Sequence, residues 1–390
     1  MKTYRIRHIV NSNAIINNSI IIIRDNFIEE IRKYPSKENE YSYYYAIPGF
    51  IDMHTHGGDG FDIMDGTENA FSSIAKYHLK NGTTSFLGST ITAPIKIIEN
   101  VLKTGRKYMQ INKDKSFSGK ESSLLGFHLE GPWISRKNLG AQNKLYVIEP
   151  DNYSINLINK YSDIIKMVTF SYHNKKAQMF LHVLLNNGII PACGHDETID
   201  SDILKGFKNG LNHITHIYSN TSSFQRKNRF KHLGTLEMAL MTPGISVEVI
   251  ADNRHITKYF WNFITHNKSF DDIIIVSDSI KAAGLPENSK KIYHLGELNI
   301  IIDQGVAWLP DKSVFAGSIS SMYKMFKILV TKWKVNLQEA VKITSFNQAK
   351  KLNIYDKIGS IKQGKIADII LMDKDFTIKK ILKAGIEVAL

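Results

Sequence analysis

Eight short apolar runs recur along the middle of this chain, each closing on a polar residue. They are IDMHTH (51–56), TTSFLGS (83–89), LLGFHLE (124–130), KMVTFS (166–171), IIPACGH (189–195), LNHITH (211–216), ISVEVIAD (245–252) and DIIIVSD (272–278). Bounded by turn residues and spaced roughly 20 to 40 residues apart, they read as strands with room for a crossover helix between each pair. Eight such units predict an α/β fold, a parallel (βα)8 TIM-like barrel closed by an outer ring of helices, with reactive groups at its C-terminal mouth. Period-two alternation sets Asp52, His54 and His56 on one face of the first run, and His128 and Glu130 on one face of the third.

Helical patterns fall between the runs. ENAFSSIAKYHLKNG (68–82) ends on Asn81-Gly82 as a helix stop should, and SSMYKMFKILVTKWK (320–334) follows the last runs. The stretch from about 105 to 122 reads as a polar loop before the third strand. Outside the barrel, residues 1 to about 47 alternate as short β-like pieces, YRIRHIV, AIINNSIIII and FIEEIRKY. GSIKQGKIADIILMDKDFTIKKILKAG near the other end has the same character, so the two ends are expected to form one small β-module.

Composition narrows the class. A chain of 390 residues with 43% hydrophobic content suits one large α/β domain plus a smaller module. A single cysteine, Cys193, excludes an intramolecular disulfide and fits a reducing compartment. The N-terminal MKTYRIRHIV lacks a long apolar stretch and III at 21–23 is too short to span a bilayer, so a cytoplasmic protein without membrane insertion is expected. Fifty basic against 37 acidic residues leave a charge of +13. The lysines are scattered, and no basic stretch is interleaved with aromatics for stacking, which argues against a nucleic-acid partner. A phosphorylated small-molecule substrate is the functional reading of the excess.

Five of the run ends carry His54 and His56, Glu130, His195, His216 and Asp278. Two imidazoles two residues apart on a strand can chelate one ion, and a carboxylate ending a strand can bridge two. Taken singly, each has an ordinary explanation: a core histidine, or an acidic residue capping a turn. Jointly, five strand ends carrying such groups point to a metal site. Hydrolysis at neutral pH needs an acidified water and a group that holds and returns its proton, a role open to Asp278. His128, beside Glu130, is placed to orient the site through a hydrogen bond. Cys193 reads as a small buried residue, and Trp133 and Tyr218 as rim aromatics that pack more readily than they recognise.

The ordered set PGFIDMHTHGGDGFDIMDG, GFHLEGPWIS, ACGHDET, ITHIYSN, VEVIADNRH, VSDSIKAAG, FAGSISSM and GSIKQGKIADIILMD resembles the metal-dependent amidohydrolases, and within them the N-acetylglucosamine-6-phosphate deacetylases. The resemblance implies a barrel over residues 49–351 and a small β-sandwich from 1–48 with 352–390, usually in a homodimer. It implies hydrolysis of a 2-acetamido group to give glucosamine 6-phosphate and acetate. Glu130, His195 and His216 would hold the main divalent ion, with zinc first and iron or manganese as alternatives; His54 and His56 would hold a second, and Asp278 would shuttle the proton. The fourth run ends without a Lys that could carry a carbamate bridge, leaving Glu130 as the bridging candidate.

The substrate side departs from the family's pattern. Where relatives carry His, LGAQNKLY offers Ala141 and Gln142, whose amide donates to an acetyl or sugar oxygen but carries no charge. The Asn-Ala-Met triplet expected after the T-H motif reads Ser219-Asn220-Thr221. The spacing to the phosphate-binding cation is longer; Arg226 and Arg229 are the choices, since guanidinium grips phosphate in two places, with Lys227 and Lys231 as alternatives. His255 matches a substrate-contacting histidine, and Ala316-Gly317 a backbone contact. The competing readings are an amidohydrolase of cyclic amides or N-acyl amino acids, which needs no phosphate clamp, and an inactive barrel kept as a binding scaffold.

Overall fold

The computed structural model describes residues 1–34, 40–112, 119–286 and 292–389. Eight parallel strands form the central sheet, in chain order around it: Phe50–Thr55, Thr83–Thr90, Ser123–Glu130, Ile165–Phe170, Ile190–Cys193, His213–Ile214, Ser246–Val249 and Ile273–Ile275. The ring is completed just beyond the strand ends. Thr55 bridges Ser279 in parallel, Asp278 N–H donates to the His54 carbonyl at 2.8 Å, and His56 N–H donates to the Ser279 carbonyl at 2.8 Å. Closure therefore sets the eighth run's Asp278 against the first run's histidines.

Residues at every position of the first, second and eighth strands are buried, as expected when helices cover one face and the barrel interior the other. The helix Glu68–Lys80 shows how the covering works. Thr67 caps it, its hydroxyl accepting from Ala70 N–H at 3.1 Å, and Asn81 and Gly82 end it. Phe71, Ile74, Ala75, His78 and Leu79 face inward at helical spacing, with Phe71 packed edge-on against Phe127 of the third strand. Burying a ring of that size contributes about 1.5–3 kcal/mol, so Phe71→Ala would cost about 3–5 kcal/mol once the cavity it leaves is included.

The second inter-strand helix runs Ile95–Ile111, so the segment from 105 to 111, expected to be loop, is helical. Val101, Leu102, Gly105 and Tyr108 carry its buried face through that segment, an apolar spacing that outweighs the polar residues around it. The rest of that expected loop lies partly outside the described residues. The expected helix near 320–334 is α-helical from Met322 to Lys327 and continues as a wider turn over Ile328–Lys332.

Strands from both ends of the chain share one seven-stranded sheet. Its order is 386–387, 378–383, 369–372, 43–48, 2–10, 15–24 and 27–33, antiparallel except where 2–10 runs parallel to 43–48. Ile6, Ile9, Ile21, Ile23, Ile369, Leu371 and Leu382 fill its core. Strand 43–48 leads directly into the first barrel strand, and Gly49 N–H donates to the Asp368 carbonyl at 3.0 Å, which joins the sheet to the barrel. A separate antiparallel meander, Ile292–Leu295, Leu298–Asp303 and Val306–Trp308, packs Leu295, Ile300 and Ala307 with Ile91, Ala141 and Ala316 beside the barrel mouth. No helix among the described residues is long and apolar enough to cross a membrane.

Candidate active site

At the C-terminal mouth lies a cavity of about 290 Å³ lined by His56, Glu130, His195, His216 and Asp278. Five non-glycine residues that line it sit in the left-handed backbone region, Tyr218 and Asn220 together with the ligand candidates His195 at φ +48°, His216 at +23° and Asp278 at +46°. Such a conformation costs on the order of 1–2 kcal/mol for a residue with a Cβ and clusters at functional sites. Here it turns the side chains inward where each strand gives out. Gly317, at φ +64°, closes over Asp278: its own Cβ would meet the Asp278 carbonyl oxygen at 2.9 Å and Ile280 Cγ2 at 2.8 Å.

The two trios His54, His56, Asp278 and Glu130, His195, His216 each bring their ligand atoms within 4.8 Å of one another. Glu130 stands between them. Its Oε1 lies 3.1 Å from His195 Nε2 and 2.8 Å from His216 Nε2, while its Oε2 lies 3.4 Å from His56 Nε2. His54 Nε2 is 3.2 Å from His56 Nε2, and Asp278 Oδ1 is 3.5 and 3.1 Å from those two nitrogens. Ligands held at about 2.0–2.1 Å around a tetrahedral ion stand about 3.4 Å apart, which is the scale of these separations.

The far sides of the rings agree with a cation at the centre. His195 Nδ1 lies 2.8 Å from the Asn138 carbonyl and His56 Nδ1 3.2 Å from the Ser89 carbonyl, acceptors that fix the proton on Nδ1 and leave the Nε2 lone pair facing inward. His54 Nδ1 meets the Glu248 carboxylate at 3.0 Å to the same effect. His216 Nδ1 is buried without a partner among the described residues. Two inward lone pairs 3.2 Å apart, on His54 and His56, need positive charge between them.

Electrostatics point the same way. Burial opposes ionisation of Glu130, yet hydrogen bonds from His195, His216 and His56 outweigh it and hold the carboxyl well below the usual range. Burial likewise works against protonating His216, but Glu130 pushes it up to about 9, and Asp278 with Glu130 pushes His56 well above its ordinary value. A site that draws protons so strongly onto imidazoles is one that favours a divalent cation in their place.

The remaining candidates divide. Ala141, Gln142, Ser219, Asn220, His255 and Gly317 line the cavity; Ala316 is fully buried and does not. Gln142 donates to Glu130 Oε2 at 2.6 Å and accepts from Thr92 N–H at 2.7 Å, so its amide steadies the bridging carboxylate and has one N–H left for a ligand. Asp252 accepts from His255 Nδ1 at 2.8 Å, leaving His255 Nε2 free. Arg226 and Arg229 do not line the cavity: they stand on an exposed hairpin, Gln225–Lys227 and Phe230–His232, and neither has an ion-pair partner among the described residues. Lys227 and Lys231 share that hairpin.

Sequence reasoning missed three contributors. Glu248 binds behind the histidines, and Leu295 and Phe315 supply an apolar wall from the meander and the loop after it. His128 hydrogen-bonds Ser89 Oγ at 3.0 Å and Thr169 Oγ1 at 2.7 Å, its ring against His54. Trp133 is packing, donating to Ser154 at 2.9 Å, whereas Tyr218 lines the mouth. Cys193 is fully buried.

The amidohydrolase family model matches residues 45–388. The chain is similar to the N-acetylglucosamine-6-phosphate deacetylase of Bacillus subtilis (strain 168), 30% identical over 94% of this chain and 92% of the relative, and to that of Lysinibacillus sphaericus, 28% identical over 87% and 84%. The crystal structure of the Thermotoga maritima N-acetylglucosamine-6-phosphate deacetylase superposes with a TM-score of 0.88 at 26% identity, covering 100% of this chain and 99% of that one. With the family model spanning the barrel and carrying every strand end described above, the chain belongs to the amidohydrolase family.

Proposed function

We propose that this enzyme removes the N-acetyl group from N-acetylglucosamine 6-phosphate, giving glucosamine 6-phosphate and acetate in amino-sugar catabolism. The observation that carries this reading is the convergence of four imidazoles, Glu130 and Asp278 at one barrel mouth, with three imidazole Nδ1 atoms held by acceptors. Glu130, His195 and His216 are assigned to a main divalent ion, proposed to be zinc, and His54, His56 and Asp278 to a second. When bound there, such an ion acidifies water and polarises an amide carbonyl.

The chain's own groups do the rest. Asp278, buried and 3.1 Å from His56, takes the proton of the attacking water on its carboxylate and returns it to the departing amine nitrogen. Gln142 holds Glu130, and its free N–H donates to a substrate oxygen. His255, oriented by Asp252, and the side chains of Ser219 and Asn220 bind the sugar, while Leu295 and Phe315 exclude water from one side. The cationic hairpin with Arg226 and Arg229 is assigned to the phosphate, remote from the bond that breaks. A homodimer in the cytoplasm is proposed with it, since a charged sugar phosphate does not leave the cell unaided.

Acetate release is the direct test, run on N-acetylated hexosamines with and without a 6-phosphate after reconstitution with zinc, iron or manganese. Loss of most of kcat/KM without the phosphate supports this reading. An unchanged value favours an amidohydrolase of another N-acyl substrate, and a protein that retains no ion and releases no acetate is a scaffold.

A further inference from the structure

Glu248 is a fully buried carboxylate in the middle of the seventh barrel strand, with no part in the proton path above. Its Oε2 accepts from His54 Nδ1 at 3.0 Å and from the His216 backbone N–H at 3.1 Å; its Oε1 meets His213 Nε2 at 3.1 Å. Three donors from the first and sixth strand ends thus converge on one side chain, which compensates the cost of burying it. His56 and His195 rest their Nδ1 atoms on the neutral carbonyls of Ser89 and Asn138. His54 rests on a full negative charge. A carboxylate acceptor fixes the tautomer more firmly than a carbonyl and raises the basicity of the opposite nitrogen.

We propose that Glu248 is a positioning residue for the second cation site, the one assigned above to His54, His56 and Asp278. It acts by keeping His54 in the Nδ1–H form with its Nε2 lone pair aimed at His56, 3.2 Å away, and Asp278, 3.5 Å away. Through the His216 amide the same side chain sets the spacing between the two sites. The inference rests on the metal reading of the site, and its test is separable from the identity of the sugar.

Zinc content and affinity are measured by chelator competition on the apo protein, its Glu248→Gln variant and its Glu248→Asp variant. A glutamine amide has one accepting oxygen in place of two and carries no charge, so the variant should lose affinity for one of two ions by about 10–100-fold. The other ion should hold within about threefold, the apo melting temperature should stay near the parent's, and Glu248→Asp should recover part of the loss. Equal affinities in parent and Glu248→Gln overturn the proposal, as does loss of both ions together with a lowered apo melting temperature, the mark of a merely structural role. A parent that binds one ion and still deacetylates overturns it and leaves the proposed function standing; selective loss of one ion in a protein inactive on the sugar does the reverse. Should Glu248→Gln not fold, nitrogen-15 shifts of the histidines in the parent decide: His54 protonated on Nε2 overturns the proposal.

Discussion

The barrel rim and the Gln225–His232 hairpin are the two regions assigned to one substrate, and they are built in opposite ways. At the rim every ligand candidate is buried and aimed by a strand end, and His54, His56 and His195 are held from behind by a second group. On the hairpin, Arg226, Lys227 and Arg229 are exposed and stand clear of the cavity. The contrast follows from what each must do. Bond breaking needs reacting atoms fixed to within a fraction of an ångström before substrate arrives, whereas a phosphate can be held by charge over a looser geometry.

The largest effect is expected at the rim. Asp278→Asn should keep the ion assigned to Glu130, His195 and His216 and lower kcat by about a thousandfold, within the range of a positioned proton carrier. Metal analysis beside single-turnover kinetics checks it, and near-normal rates would remove Asp278 from the mechanism. Next comes the hairpin. Arg226→Glu with Arg229→Glu should raise KM for the phosphorylated sugar about 10–100-fold, as lost charge-assisted bonds do, with kcat within about threefold and no change for the unphosphorylated sugar. A fall in kcat alone would break the comparison, because the hairpin would then be part of the rim's chemistry.

Gly317→Ala sharpens it from the side of the backbone. The added Cβ meets the Asp278 carbonyl at 2.9 Å in a left-handed position, so about a tenfold loss of kcat is expected from a residue with no chemistry of its own. Rate and melting temperature measured together show whether the displacement stays local.

The smallest effect lies at the other end of the barrel. Lys351 donates to the Asn212 carbonyl at 2.9 Å and side-chain oxygen at 2.7 Å, and burial lowers its pKa to about 8. Because the folded value is depressed, the charged form destabilises the fold below pH 8, and that penalty fades as pH rises from 8 to 10.5. The parent should therefore gain stability relative to Lys351→Met over that window, by at most about 3 kcal/mol. Urea unfolding of both at pH 7.5 and 10 measures it, and deacetylation should be unaltered.

Much of the rim was legible because period and chemistry coincide. An apolar run states its direction, and its last polar residue marks the mouth, which is how His54, Glu130, His195, His216 and Asp278 were found. Glu248 obeys the same alternation, two residues after Ser246, but a charge inside a run reads as an interruption until a partner is seen. Gln142 was legible as a residue and not as a role: only the fold reveals that its amide is committed to Glu130 and Thr92. The hairpin offered four cations and no periodicity, and its distance from the cavity depends on turn geometry that composition does not encode. The loop expected at 105–111 failed because Val101, Leu102, Gly105 and Tyr108 form an apolar stripe that the surrounding polar residues hide.

The sheet shared by both ends of the chain has a consequence during synthesis. Strand 43–48 is made early, yet one of its edges pairs with 369–372, and Asn11 waits for Ile361, with which it exchanges hydrogen bonds of 3.0 and 2.7 Å across 350 positions. Until residues 361–372 have emerged from the ribosome, an apolar edge lies open to pairing with another nascent chain. A chain that stopped short of Ile361 would carry every side chain assigned to the rim and leave that edge unshielded, a product for proteolysis rather than for weak activity.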